Sequence, residues 1–273
     1  MIDQQTGDAG VSADRAQTDG ALPRTPSMRL DGRRALVTGA GRGLGRACAA
    51  ALAGAGAHVT LVARTRDQID ALATAIRKAG GSAEAIRLDV TDVEAVARTV
   101  EEAEPFEILV NNAGTNRPAP LVEVTAADFD AVSSINMRAI FFMTQAVARR
   151  LIAVGRGGSI INMSSQMGHV GAPNRSVYCT TKHAVEGMTK AMAVELGRHG
   201  IRVNTICPTF ILTPMTAPFF ENQVFRAATL EKIKVGRLGK LEDIMGAVVF
   251  LASDASALMT GSALILDGGW TAE

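Results

Sequence analysis

Tyr178 and Lys182 are the residues of this chain best placed to move a proton. They stand in Tyr178-Cys179-Thr180-Thr181-Lys182, inside a segment whose apolar residues Val177, Ala184, Val185, Met188, Ala191, Met192 and Leu196 recur at helical spacing. That spacing puts the pair on one helix face, one turn apart. A phenol has a pKa of about 10, and bringing it to about 7 takes roughly 4 kcal/mol. A lysine ammonium about 4 Å away supplies on the order of 4 kcal/mol at an effective dielectric of 20. The spacing therefore predicts a tyrosine acid/base held near neutrality by a lysine, and a further positive charge beside it would act in the same direction.

A second group of residues is suited to binding an anion. Thr38-Gly39-Ala40-Gly41-Arg42-Gly43-Leu44-Gly45 follows the apolar run Ala35-Leu36-Val37 and opens an Ala-rich helical pattern. Gly39, Gly43 and Gly45 allow a tight strand-to-helix turn, with backbone N–H groups and the helix N-terminus turned toward a pyrophosphate. This is a dinucleotide-binding turn, with Arg42 and Leu44 inside it. The next apolar run, His58-Val59-Thr60-Leu61-Val62, ends at Ala63-Arg64. An acid at such a strand end holds the ribose of NAD, whereas a base accommodates the extra phosphate of NADP. Arg64 and Arg42 favour NADP over NAD. Asp67, three residues on, is expected in the first turn of the following helix.

The elements that position these residues follow from the alternation of short apolar runs with helical patterns, which predicts stacked βαβ units on a parallel sheet. Strands are expected to start near Arg34, His58, Ala83, Glu107, Gly158, Ile201 and Ser262. Seven strands make a single doubly wound α/β domain with helices on both faces, over residues 28–273, with ligands at the carboxyl ends of the strands. Gly158-Ser159-Ile160-Ile161-Asn162-Met163-Ser164-Ser165 reads as a buried strand ending in hydroxyls. Phe219, Phe220 and Phe225 mark the segment near 214–235 as a lid over the substrate.

Taken together, these motifs resemble the short-chain dehydrogenases/reductases over the chain from about Leu30 to its end. The resemblance rests on Thr38-Gly-x-x-x-Gly43-x-Gly45, on Asn111-Asn112-Ala113-Gly114 and on Tyr178-x-x-x-Lys182. It implies hydride exchange between a nicotinamide dinucleotide and a CH–OH group. The family places its catalytic serine thirteen residues before the tyrosine, which selects Ser165 over Ser164. Asn136 falls where the family carries the fourth member of its catalytic set, near a water that relays the proton from Tyr178 by way of the ribose and Lys182. Asn112, Ala113 and Gly114 are implied to touch the dinucleotide. Asp89, with its neighbour Val90, resembles the family's adenine contact, although a loop-capping role suits Asp89 equally. Ile211 and Thr213 are implied to hold the carboxamide of the cofactor, and Pro208 to touch the cofactor. Here Thr209 replaces the glycine that usually follows the proline, which removes backbone freedom at that turn. The family usually forms tetramers through its long helices, which here span roughly Ala126 to Ala153 and Val177 to Arg198, so a homotetramer is expected.

Arg117 and Arg175 flank the expected mouth of the site, and a guanidinium fork there suits a carboxylate. With Ser165, Gln166 and Tyr178 they form the expected substrate contacts, and a sugar acid of the gluconate type is the favoured substrate. The Thr115-Asn116-Arg117-Pro118 run resembles that of sugar-acid members. A 3-oxoacyl thioester reductase is the alternative, and a catalytically silent dinucleotide sensor a remote one. His169, in the loop after Ser165, reads as a pocket-lining or structural residue.

The 273 residues carry 47% hydrophobic side chains and a formal net charge of +1, which gives a full-sized core and no electrostatic footprint for nucleic acid or an anionic membrane. No apolar run approaches the roughly 20 residues of a membrane helix. Cys48, Cys179 and Cys207 are scattered without paired spacing, so neither a disulfide framework nor a metal site is expected. Residues 1–27 are poor in large apolar side chains and read as a flexible extension. Asp3, Asp8, Asp14 and Asp19 there argue against a secretory or mitochondrial leader, and a cytoplasmic location is expected.

Overall fold

The computed structural model describes residues 22–214 and 216–272. The expectation for 1–27 falls largely outside these residues; residues 22–29 are exposed and outside any regular element. Seven parallel strands form one sheet in the order β3-β2-β1-β4-β5-β6-β7. They are β1 (Arg34–Thr38), β2 (His58–Ala63), β3 (Ser82–Arg87), β4 (Ile108–Asn111), β5 (Gly158–Met163), β6 (Ile201–Pro208) and β7 (Ala263–Leu266). Each begins within one residue of its expected start. Strands covered on both faces read as unbroken apolar runs, and Leu36, Val37, Val59, Leu61, Ile108, Leu109, Ile160 and Ile161 are all essentially inaccessible.

Among the described residues there are eight α-helices: α1 (Gly43–Gly54), α2 (Arg66–Lys78), α3 (Val93–Glu102), α4 (Ala126–Ser133), α5 (Ala139–Ala153), α6 (Ser176–Leu196), α7 (Gln223–Lys232) and α8 (Glu242–Ala252). One core lies under α1, α2 and α8, with Leu52, Ile69 and Val248 at its centre. The other lies under α3, α5 and α6, built around Phe106, Met143 and Leu151. Asp67 occupies the first turn of α2, as its position predicts.

β1 pairs with both β2 and β4, and the chain winds away from it in opposite directions. That reversal opens a crevice beyond the carboxyl ends of the strands. The helix expected over 126–153 is interrupted by a π-turn, Ser134–Arg138, between α4 and α5. Single π-turns inside α-helices are costly and concentrate near functional sites.

Candidate active site

The crevice is a cleft of about 690 Å³ lined by the ends of β1, β2, β4, β5 and β6 and the start of α6. Its wall includes Gly39, Arg42, Gly43, Leu44, Arg64, Asp89, Val90, Asn112, Ala113, Gly114, Ser165, Gln166, Arg175, Tyr178, Lys182, Pro208, Ile211 and Thr213, all singled out in the sequence. Thr65, Gln68, Phe210 and Phe219 also line it. Phe219 belongs to the expected lid segment, whereas nothing in the local pattern marks Thr65, Gln68 and Phe210, whose place follows from how loops of separate βα units converge.

At the turn, Gly39 has φ +63° and Gly45 packs so closely on it that a Cβ at Gly45 would meet the Gly39 carbonyl oxygen at 2.3 Å. Asn112 pins the turn from β4: its side-chain amide donates to the Thr38 and Gly39 carbonyls at 3.0 and 3.2 Å. The Thr38 hydroxyl accepts the Asn112 and Ala113 N–H groups at 3.0 and 3.1 Å. Gly45 is thus behind the cleft wall. Arg42 and Arg64 are exposed at the rim, and neither makes an ion pair among the described residues. Asp89 takes both readings at once: it lines the cleft and accepts from the Thr91 N–H and hydroxyl at 3.0 and 2.8 Å.

Lys182 is buried, and its ammonium donates to the Met163 carbonyl at 2.8 Å while lying 5.5 Å from the centre of the Tyr178 ring. Burial pushes the Tyr178 phenol up to about 12, and the hydroxyl of Ser165 only partly opposes it. Burial also pulls Lys182 down to about 8, against the attraction of Cys207 and Glu186. For the phenol, burial is the largest cause, and Ser165 and Arg175 act in the opposite direction. Ser165 Oγ donates to Gln166 Oε1 at 2.8 Å and accepts from Met167 N–H at 3.1 Å, which fixes the hydroxyl at the cleft wall.

Arg175 is half-buried, its guanidinium 5.7 Å from the centre of the Phe219 ring. Its one hydrogen bond is to the Asn174 carbonyl at 3.2 Å, and no carboxylate pairs with it among the described residues. Arg117 differs from expectation: it binds Asp128 at 2.6 Å on the exposed start of α4 and does not reach the cleft wall. Asn136 is fully buried. Its amide bonds Thr115 N–H and Thr115 C=O, both at 2.9 Å, and Thr181 Oγ1 at 3.1 Å, so its side chain ties the π-turn to the loop after β4 and does not face the cleft. Thr209 adopts no left-handed backbone, since Asn174 is the sole non-glycine residue with positive φ among those described, and the feared strain does not arise. The Thr213 hydroxyl pairs with Thr216 Oγ1 at 3.1 Å.

A turn that leaves no room for side chains, basic groups at its rim and a hydroxyl, phenol and ammonium converging on one wall define a nucleotide-dependent oxidoreductase of the doubly wound class. The family model described as enoyl-(acyl carrier protein) reductase matches residues 39–271. L-xylulose reductase from Bos taurus is 44% identical over 90% of this chain and 99% of its own. The crystal structure of a putative 2-deoxy-D-gluconate 3-dehydrogenase from Agrobacterium tumefaciens with bound NADP has a TM-score of 0.87 at 42% identity, covering 92% of this chain and 100% of that one. A gluconate 5-dehydrogenase from Burkholderia cenocepacia, solved with NADP and tartrate, has a TM-score of 0.87 at 36% identity, over 90% and 98% of the two chains. The chain belongs to the short-chain dehydrogenase/reductase family and is an NAD(P)-dependent oxidoreductase acting on a CH–OH group. The site fits such a dinucleotide on its own observations: the Gly39–Gly45 cradle that a Cβ would fill, and two rim arginines that make no close ion pair among the described residues, Arg64 acting on Asp89 only at a distance.

Proposed function

We propose that the substrate is a small sugar acid of the gluconate/ketogluconate type and that NADP is the preferred dinucleotide. Arg175 carries this reading. A half-buried guanidinium in the cleft wall near Tyr178, with no acidic partner, is suited to a substrate carboxylate, which it would bind through a charge-assisted fork. The tartrate in the Burkholderia neighbour, a hydroxy acid, is in keeping with it. Arg42 and Arg64 support the phosphate of NADP.

A dinucleotide held in the Gly39–Gly45 turn would supply or accept the hydride. Tyr178 gives its phenolic proton to the carbonyl oxygen during reduction and takes it back during oxidation. Ser165 turns its one O–H from Gln166 Oε1 to the same oxygen, while the Met167 N–H holds its Oγ in place. Lys182 holds positive charge beneath the phenol. Asn136 acts by position, holding the loop after β4. Asn112, Ala113, Gly114, Pro208, Ile211 and Thr213 shape the dinucleotide groove, and Pro214, Thr216 and Phe219, from the lid segment, close its outer end. We further infer a homotetramer, and a reducing, cytoplasmic setting that suits three free thiols.

The test is a panel of gluconate and ketogluconates, neutral polyols and ketoses, and 3-oxoacyl thioesters, each assayed with both dinucleotides. The sugar acid should give the highest kcat/KM, and Arg175→Met should lower it by about 10- to 100-fold, the worth of one charge-assisted contact, while changing a neutral polyol less than about threefold. A wild type that prefers neutral ketoses or the thioester, or an Arg175→Met loss equal for acid and polyol, overturns the assignment.

A further inference from the structure

Directly behind the candidate catalytic residues lies a cluster whose members come from three elements. His169 is four residues beyond Ser165, in the loop after β5; Glu186 is one turn beyond Lys182 on α6; Cys207 precedes Pro208 on β6. His169 Nε2 lies 3.4 Å from Cys207 Sγ, Cys207 Sγ 3.3 Å from Glu186 Oε1, and His169 Nε2 3.9 Å from the same carboxylate oxygen. Neither the family chemistry described above nor the cysteine spacing uses these groups. The geometry points to a transition-metal site formed by His169, Glu186 and Cys207, with Zn²⁺ as the ion best matched to it.

Three observations carry this. The donor set is one imidazole nitrogen, one carboxylate oxygen and one sulfur, each a ligand type that zinc accepts. Bond lengths of about 2.0–2.2 Å to nitrogen and oxygen and about 2.3 Å to sulfur place tetrahedral ligands about 3.3–3.6 Å apart. Two of the three separations already lie at that value, and the third closes with a few tenths of an ångström of movement by His169, the least buried of the three. The surroundings also hold the ligands in place. Thr205 Oγ1 donates to the other Glu186 oxygen at 3.0 Å and lies 3.3 Å from the sulfur, the kind of outer contact that orients a metal-binding carboxylate. Beside the thiol lies the buried hydroxyl of Ser164, within hydrogen-bonding reach of Cys207, a polar group suited to orient a water in the fourth position.

Binding exchanges the Cys207 S–H bond for an S–Zn bond, and the proton leaves to solvent. Half-exposed His169 gives the ion access, while Glu186 and Cys207 are buried beneath it. The cluster does not include Cys179, which is partly buried near the start of α6, its carbonyl 2.9 Å from His183 Nδ1.

Chelator-treated full-length protein titrated with Co²⁺ as the probe tests the site. One equivalent per chain should produce a near-ultraviolet thiolate-to-cobalt charge-transfer band with the visible spectrum of a four-coordinate ion, and Zn²⁺ should displace it. Cys207→Ser should abolish the band, and His169→Gln, at an accessible position tolerant of change, should keep it while weakening Zn²⁺ at least about tenfold. Cys179→Ser should leave both band and affinity unchanged. Absence of the band in the wild type, its loss in Cys179→Ser, or wild-type Zn²⁺ affinity in His169→Gln would overturn the site. The His169→Gln arm keeps the test decisive even where Cys207→Ser does not fold.

Discussion

Tyr178 and Lys182 are each held by burial in the uncharged direction, the phenol at about 12 and the ammonium at about 8, and their roles follow from that tension. A phenol this reluctant to ionise serves first as a proton donor, and turnover in the oxidative direction should rise with pH across the neutral and alkaline range. Tyr178→Phe is expected to lower kcat by at least about 10², the usual worth of acid–base catalysis, with dinucleotide affinity nearly intact. Retained turnover would remove Tyr178 from the mechanism. Lys182 makes a sharper prediction about stability. Its pKa is depressed on folding from the ordinary 10.5 to about 8, a difference of about 3 kcal/mol at 1.36 kcal/mol per pH unit. A depressed pKa contributes stability above 10.5 that is lost as pH falls through 8, so at neutral pH the buried ammonium costs the fold. Lys182→Met should therefore unfold at higher urea concentration than the wild type at pH 7, by about 1–3 kcal/mol after the lost bond to Met163, and the gain should shrink between pH 8 and 10. A difference independent of pH would contradict this account. That Tyr178, Lys182 and Ser165 line one cleft was legible, the first two from helical spacing and Ser165 from the family resemblance. Arg117 was misread because its partner, Asp128, lies on the next helix. The His169, Glu186 and Cys207 cluster was invisible, because only the pairing of β5 with β6 and the packing of α6 bring it together.

The seven strands were legible for a physical reason: a parallel sheet buried on both faces needs unbroken apolar runs, and these begin abruptly after polar turns. The π-turn at Ser134–Arg138 left no such mark. Ile135, Asn136 and Met137 are compatible with ordinary helix, and the extra residue is accommodated by bonds from Asn136 to a distant loop. The carboxyl end of β2 is the element where a sequence difference becomes a cofactor preference. Arg64 stands there on the cleft wall, with Arg42 across the turn. Arg64→Asp removes one charge-assisted contact to a 2′-phosphate, worth about 1.5–3 kcal/mol, and offers a carboxylate to the free 2′-hydroxyl of NAD. The preference should reverse, and the NADP penalty should shrink at high salt because part of it is surface repulsion. Dissociation constants for both dinucleotides with wild type and variant check it; an unchanged ratio would show that β2 does not select the cofactor.

At the scale of the whole molecule, several apolar side chains on helices away from the cleft are exposed among the described residues. Phe129 on α4, Phe141, Ile152 and, just past its end, Val154 on α5, and Val194 on α6 are all exposed, Val194 by 84%. Between α5, α6 and the π-turn runs a groove of about 460 Å³ lined by Met137, Phe141, Phe142 and Met188. Monomers seldom leave contiguous apolar surface of this kind to water, whereas a symmetric partner presenting the same helices covers it twice over. The same helices carry Tyr178, Lys182 and Asn136, so pairing them would also stiffen the wall on which the candidate chemistry depends. Light scattering at micromolar concentration should therefore give a mass four times the 28.5 kDa of the chain. Phe141→Glu, which places a charge in the groove without touching the cleft, should reduce that mass by at least half while leaving the far-ultraviolet circular dichroism unchanged. Activity should fall with it. A wild type that scatters as a monomer, or a Phe141→Glu protein that remains a full tetramer, would place the assembly surface elsewhere than on α5 and α6.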